Sequence, residues 1–191
     1  MKPLIYDTEI KKAILADGEA PQSGIQYCQG WKDFGGMGIA CITAYDVAEA
    51  RPRIFMEDNL PDFDALAQER TLVGWNNHKF DDRLLEANGI EIKPGMSIDI
   101  ASHCWRAAGF AEGERPTGFS LAATLKANGL QGKSGNGAMA PILYQTGRTG
   151  ELIDYCMTDT LRTLQLYRYI KQAGGLRDPR NGNWLTVVLP W

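Results

Sequence analysis

The stretch Leu4-Ile5-Tyr6-Asp7-Thr8-Glu9 decides how the rest of the chain is read. Three apolar or aromatic residues run into two carboxylates that flank one threonine, and the run reads as a strand. On a strand, alternate residues share a face, so Asp7 and Glu9 project side by side. Two anions held that close repel unless a cation or a shared proton lies between them. A divalent metal ion and a proton held in common both meet that need. An acidic strand end turned to water is a third arrangement that so short a pattern fits. The remainder of the chain decides among the three.

A length of 191 residues with 44% apolar side chains suits one domain with a sizeable core, and residues 1–191 are read as that single domain. The formal net charge of −3 excludes a large basic field that would recruit a polyanion. A nucleic-acid substrate would have to be drawn by metal and a few local cations. The apolar runs are too short to span a bilayer, so no membrane partner is expected. No signal peptide is visible, and the expected location is cytoplasmic. Cys28, Cys41, Cys104 and Cys156 are scattered without a C-x-x-C pair, and His78 and His103 are not at zinc-finger spacing. Reduced structural thiols follow from that pattern.

Working outward, residues 10–38 form a long irregular segment rich in glycine, with Tyr27, Trp31 and Phe34 to pack it down. Residues 37–47 and 53–57 read as strands, and residues 61–70 as a helix started by Pro61 or Asp62. A short strand at 71–76 precedes a helix at 80–88 that Gly89 stops. Residues 96–100 are a brief apolar stretch, and Asp99 caps a helix over 101–108. Ser120 caps a helix that ends at Asn128–Gly129, residues 132–137 are a flexible glycine loop, and 141–145 form one or two helical turns. The clearest helix covers 150–172 and ends at Gly174–Gly175; a strand at 184–189 closes the chain. Strands first, then strands alternating with helices, predict an α/β fold with a mixed sheet covered by helices.

Two further places carry acid in a telling setting. In Gly74-Trp75-Asn76-Asn77-His78-Lys79-Phe80-Asp81 a strand ends and a carboxylate opens a helix, with Phe80 as its buried anchor. Negative charge in a first helical turn also suits the helix dipole, for Asp81 and Asp82 alike. In Tyr155-Cys156-Met157-Thr158-Asp159 the phenol and the carboxylate lie one turn apart on one helix face. Leu152 and Leu166 bury that face, and a buried Asp must be paired or metal-bound.

The ordered set resembles the three motifs of the DnaQ-like 3′–5′ exonucleases, which have the RNase H-like fold. It is most similar to the DEDDy branch, which includes the proofreading domains of family A and family B DNA polymerases. The resemblance runs from Leu4 to about Tyr169, and its motifs are D-x-E, N-x-x-x-F-D and Y-x-x-x-D. It implies that Asp7, Glu9, Asp81, Tyr155 and Asp159 are catalytic. Asp82 is the alternative to Asp81, and the F-D step favours Asp81. Neither histidine lies just before Asp159, so the histidine branch is excluded. The segment between the first two strands is longer than in a minimal domain of this kind.

The resemblance further implies two Mg²⁺ or Mn²⁺ ions held by Asp7, Glu9, Asp81 and Asp159, and a two-metal hydrolysis that yields nucleoside 5′-monophosphates. Asp7 contacts both ions, Glu9 and Asp159 hold the one on the attacking side, and Asp81 serves the other. Tyr155 orients the attacking water, because a phenol with an ordinary pKa of about 10 is a poor base at neutral pH. The expected substrate is the 3′ end of a single strand, DNA in preference to RNA. Thr8, Asn76, Phe80 and Lys133 stand on the substrate side, with Arg148 as a second candidate phosphate contact. Trp75, Phe80, Trp31 and Tyr144 are each either a base-stacking platform or core. No polymerase domain is present, so a replication or repair partner would act in trans.

Three rivals stand beside this reading: RNA 3′-end trimming on the same site, a non-cleaving binding module, and an endonuclease on the same fold. Residues 127–134 imitate a phosphate-binding P-loop, but a helix precedes them where such a loop follows a strand.

Overall fold

The computed structural model describes residues 2–114, 116–132 and 137–190. Strand β1 (Pro3–Ile10) lies at the centre of a five-stranded sheet. It pairs antiparallel with β2 (Ile39–Asp46) and parallel with β4 (Thr71–Gly74). Beyond β2 lies the antiparallel edge strand β3 (Arg51–Phe55), and beyond β4 the parallel strand β5 (Ser97–Asp99). The order is therefore β3-β2-β1-β4-β5, a mixed sheet of the RNase H-like α/β kind. Pro52 and two arginines on β3 discourage further pairing at that edge.

A central strand has no free edge and is covered on both faces, which explains the apolar run of Leu4, Ile5 and Tyr6. On one face, Leu4, Tyr6 and Ile10 pack with Phe63 of α2 (Leu60–Ala67) and with Leu84 and Leu85 of α3 (Asp81–Ala87). On the other, Ile5 packs with Ile100 and Cys104 of α4 (Ile100–Ala107) and Leu125 of α5 (Leu121–Ala127). Leu164 and Ile170 of the long helix α7 (Thr149–Ala173) join that second layer. Short helix α1 (Phe34–Met37) packs against α3, and α6 (Ala140–Gln145) packs against α7 and β1. A two-stranded ribbon of β6 (Gly175–Arg177) and β7 (Trp184–Thr186) follows α7.

The α/β expectation holds, and the differences are local. Asn59, not Asp62 or Pro61, precedes α2, with Pro61 inside its first turn. A 3-10 turn over Asn77–Lys79 comes before α3, so the helix begins one residue later than its pattern suggests. Asp99 caps α4 by accepting from the N–H groups of Ala101 and Ser102, and Ser120 caps α5 through Ala123. Gly174 takes the left-handed conformation with φ of 73° and ends α7. The closing strand is shorter than 184–189: it ends at Thr186, after which Val187 N–H still donates to Gly174 O while the side chains of Val187 and Leu189 are buried in the core. Its partner β6 carries no alternating pattern, because Gly175 offers no side chain to show one.

The long segment after β1 is tied down rather than loose. Ala13 and Tyr27 form an isolated bridge, and the Gln145 amide nitrogen donates to Lys11 O and Gln26 O. Asp33 opens α1 by accepting from the Gly36 N–H at 3.0 Å. All four cysteines are free thiols. Among the described residues no helix is long and apolar enough to cross a membrane. The glycine loop at 133–136, with Lys133, lies outside the described residues.

Candidate functional site

A cleft of about 700 Å³ opens at the C-terminal end of β1. Asp7 and Glu9 from β1, Asp81 from the first turn of α3, and Tyr155 and Asp159 from α7 all line it. Thr8, Asn76 and Phe80 line it too, as do Trp31, Trp75 and Lys79. Ends of parallel strands are where such sheets leave room for a ligand, because the chain turns away there into helices.

The position of Asp81 follows from where strand pairing stops. The β1–β4 ladder ends at Ile5–Val73, and β1 runs on alone on that side. Thr8 there donates its backbone N–H to Asp81 Oδ1 at 3.1 Å and its hydroxyl to the same oxygen at 2.6 Å. Thr8 is therefore a positioning group for Asp81 as well as part of the cleft wall. Burial pushes the Asp81 carboxyl up to about 7; the Thr8 hydroxyl opposes that rise, and the nearby Asp82 charge adds to it.

Asp82 has a different task. It accepts from the Tyr6 hydroxyl, from Ser97 Oγ at 2.7 Å and from Asn77 Nδ2 at 3.2 Å, beneath the cleft floor. Of the two adjacent carboxylates, Asp81 faces the cleft and Asp82 anchors α3 to β1 and β5. Gly74 makes this floor possible: a Cβ at that position would stand 2.8 Å from Asn77 Cβ, and Asn77 is fully buried. Asn76, between them in the chain, holds φ of 63° and donates its N–H to Asp99 Oδ1 at 2.7 Å. That left-handed turn swings the chain from β4 into α3.

Helix α7 is registered on the sheet by polar contacts one residue beyond each motif position. Thr160 and Thr43 of β2 share a hydroxyl hydrogen bond of 2.7 Å, and Thr43 Oγ1 donates to Cys156 Sγ at 3.2 Å. With Cys156 and Thr160 fixed against β2, Tyr155 and Asp159 turn into the cleft, where Asp159 is only 3% exposed.

The carboxylates offer hard oxygen donors, and oxygens of Asp7 and Glu9 lie with Cys156 Sγ inside one 4.8 Å cluster. The thiol is the odd member. Burial, then the neighbouring Cys41 and the Asp7 charge, hold it well above its usual pKa, so it stays protonated. It donates toward Asp7 O at 3.5 Å and Asp7 Oδ2 at 3.7 Å. What remains on offer is an oxygen set, and that chemistry fits a hard divalent cation such as Mg²⁺ or Mn²⁺.

Some expected contacts take other places. Tyr144 packs into the Cys41–Leu152 cluster with Lys11 over its ring, and Arg148 pairs with Glu151. Phe80 is half-buried: it packs against the cluster that holds Leu84 and Leu85, and it also forms part of the cleft wall, edge-on to Trp31 and Phe34. Trp31 is 70% exposed, which removes the reading of it as core. Lys79 was not singled out by the motifs, since it sits inside N-x-x-x-F-D at a position the pattern leaves free. No protein-family model matches the chain, and no curated protein matches it.

Proposed function

We propose that the protein is a metal-dependent 3′–5′ exonuclease that releases nucleoside 5′-monophosphates from single-stranded nucleic acid, DNA in preference to RNA. The observation that carries this reading is the convergence of Asp7, Glu9, Asp81, Tyr155 and Asp159 from three separate elements on one cleft. A lone acidic strand end has no need of such company. A shared-proton pair would need only Asp7 and Glu9, and would not call for Asp81 and Asp159 to line the same cleft.

In this reading Asp7, Glu9, Asp81 and Asp159 hold two divalent ions. Bound there, the ions would supply the Lewis acidity that a phosphodiester needs at its attacking and leaving oxygens. The chain's own groups do the rest. The carboxylate cluster fixes where the scissile phosphate can rest. The Thr8 hydroxyl keeps Asp81 aimed and favours its ionised form. The Tyr155 hydroxyl, one turn from Asp159, orients the attacking water. The free thiols support a reducing, cytoplasmic setting, and a polymerase or repair partner would act in trans.

The test uses 5′-labelled single strands of DNA and RNA with Mg²⁺, Mn²⁺ or EDTA. The expected result is a ladder shrinking from the 3′ end with either metal and none with EDTA. Asp7→Ala and Asp159→Asn should each lower the rate by at least about a thousandfold with folding retained, because each removes a charge the metal site depends on. Tyr155→Phe should lower kcat about 10- to 100-fold with KM unchanged. Wild-type-like shortening by Asp159→Asn, or internal cuts in a circular strand, would refute the assignment.

A further inference from the structure

A small pocket of about 140 Å³ lies outside the carboxylate cleft and, among the described residues, shares only Lys79 with it. The turn over Asn77–Lys79, helix α4 and the segment at 110–114 build it. It takes in both histidines of the chain, His78 and His103, together with Lys79, Trp105 and Arg106. A water molecule takes up about 30 Å³ of liquid, so the space suits a group of roughly four or five heavy atoms.

The polar groups on its walls are mostly donors that lack acceptors. Trp105 is 4% exposed, and its Nε1–H, a group that can only donate, is buried without a hydrogen-bond partner. Lys79 Nζ sits over the Trp105 ring at 5.2 Å and donates to Gly113 O at 2.6 Å and Glu114 O at 3.1 Å. Both of those acceptors are neutral carbonyls, and an ammonium has a third N–H to give. Arg106 is exposed, and no ion pair among the described residues includes Lys79 or Arg106. His78 Nε2 stands 3.9 Å from Asp82 Oδ2, too far for a hydrogen bond. Burial, then the Arg106 charge, hold the His103 imidazole below its usual pKa. Two carboxylates also line the pocket, Glu112 and Glu114. Glu114 Oε2 accepts from the Ala111 N–H at 2.8 Å and so closes its own loop, while Glu112 is exposed at the rim.

We infer that this pocket binds a phosphate group, held by the charges of Lys79 and Arg106 and by the Trp105 N–H. The donors arrive from two separate elements, the turn before α3 and α4 itself. A phosphate carries acceptor oxygens all round one centre and can meet them together, whereas a carboxylate presents its acceptors on one side only. Orthophosphate and the phosphoryl group of a nucleotide offer the same atoms. Glu112 opposes either one, which keeps the binding weak and reversible. The site needs neither a metal ion nor a nucleic-acid strand, so it stands apart from the exonuclease reading.

The test titrates the metal-free protein, in EDTA at neutral pH and constant ionic strength, with sodium phosphate, thymidine 5′-monophosphate or thymidine. The readout is the NMR signals of the His103 ring and the Trp105 indole N–H. Both signals should shift saturably with either phosphate compound and stay still with thymidine or with chloride. Equal affinity for the two phosphates makes free phosphate the ligand, and tighter binding of the monophosphate makes it a nucleotide. Arg106→Gln should weaken binding about tenfold, since it removes a charged donor, and Arg106→Lys should restore part of the loss. Glu112→Gln should tighten binding about twofold, as removal of one exposed repulsive charge allows. Both side chains are exposed, so the fold should survive each change, and an unchanged melt checks that. The absence of a saturable shift with either phosphate overturns the site. So does equal binding by Arg106→Gln and the unaltered protein, or weaker binding by Glu112→Gln. None of these readouts uses nuclease activity, so a protein that shortens no strand loses the exonuclease reading and keeps this one.

Discussion

Thr8→Val isolates one hydrogen bond. Valine keeps the β-branched shape of a buried strand residue and the backbone N–H that donates to Asp81 at 3.1 Å; only the 2.6 Å hydroxyl contact is lost. A hydrogen bond to an ionised acceptor is worth about 1.5–3 kcal/mol, or about one to two pKa units at 1.36 kcal/mol each. The lost donor favoured the charged form, so the Asp81 carboxyl must rise further from about 7. At neutral pH the ionised share then falls from about half to roughly a tenth or less. Because a metal ligand must be deprotonated, metal affinity and kcat/KM at pH 7 should drop roughly 5- to 50-fold and recover toward pH 9. Bound metal lowers the apparent values for both proteins, and the difference between them persists. The assay is 3′-end shortening from pH 6 to 9.5, paired with carbon-13 titration of the metal-free carboxylates. An unchanged pH profile would refute the role assigned to the hydroxyl. So would a loss equal at every pH, which would make Thr8 a direct substrate contact instead.

Gly74→Ala should cost about 1–3 kcal/mol, because its Cβ meets Asn77 Cβ at 2.8 Å and Asn77 is held by Asp82 and Ser97. At roughly 2–4 °C per kcal/mol for a chain this size, Tm should fall several degrees; an unchanged Tm would mean that Asn77 yields freely. In the metal-free protein, Asp81 binds its proton more tightly folded than unfolded, where its value is near 3.8. Its contribution to stability is therefore full below that value and is lost as pH rises toward about 7. Denaturant melts in EDTA should show this decline in the native protein and not in Asp81→Asn, and a decline of equal size in both would refute it.

The motifs were legible because each is local. D-x-E needs only strand alternation, and Y-x-x-x-D only the helical repeat. The boundaries of α4, α5 and α7 were legible for the same reason: Asp99, Ser120 and Gly174 act on the nearest peptide groups. Lys79 was not legible as a cleft residue, and for Trp31 the sequence left platform and core both open. The place of Trp31 depends on how the long segment after β1 folds back over Phe80, held by Gln145. A cleft lined by Trp75, Trp105 and Phe119, beside the carboxylates, had no signature at all, since those residues come from unrelated segments.

The sequence by itself determined the α/β class and the local pairs Asp7–Glu9 and Tyr155–Asp159, because alternation, capping and helical spacing act over a few residues; only the family resemblance grouped those pairs with Asp81, and the place of the first strand at the centre of the sheet came from the fold. The choice between Asp81 and Asp82 as the cleft carboxylate belonged to tertiary structure. Both open the same helix with the same charge, and they differ only in partners brought from elsewhere. Tyr6, Asn77 and Ser97 draw Asp82 under the floor, while Thr8, past the end of its parallel pairing, turns Asp81 into the cleft.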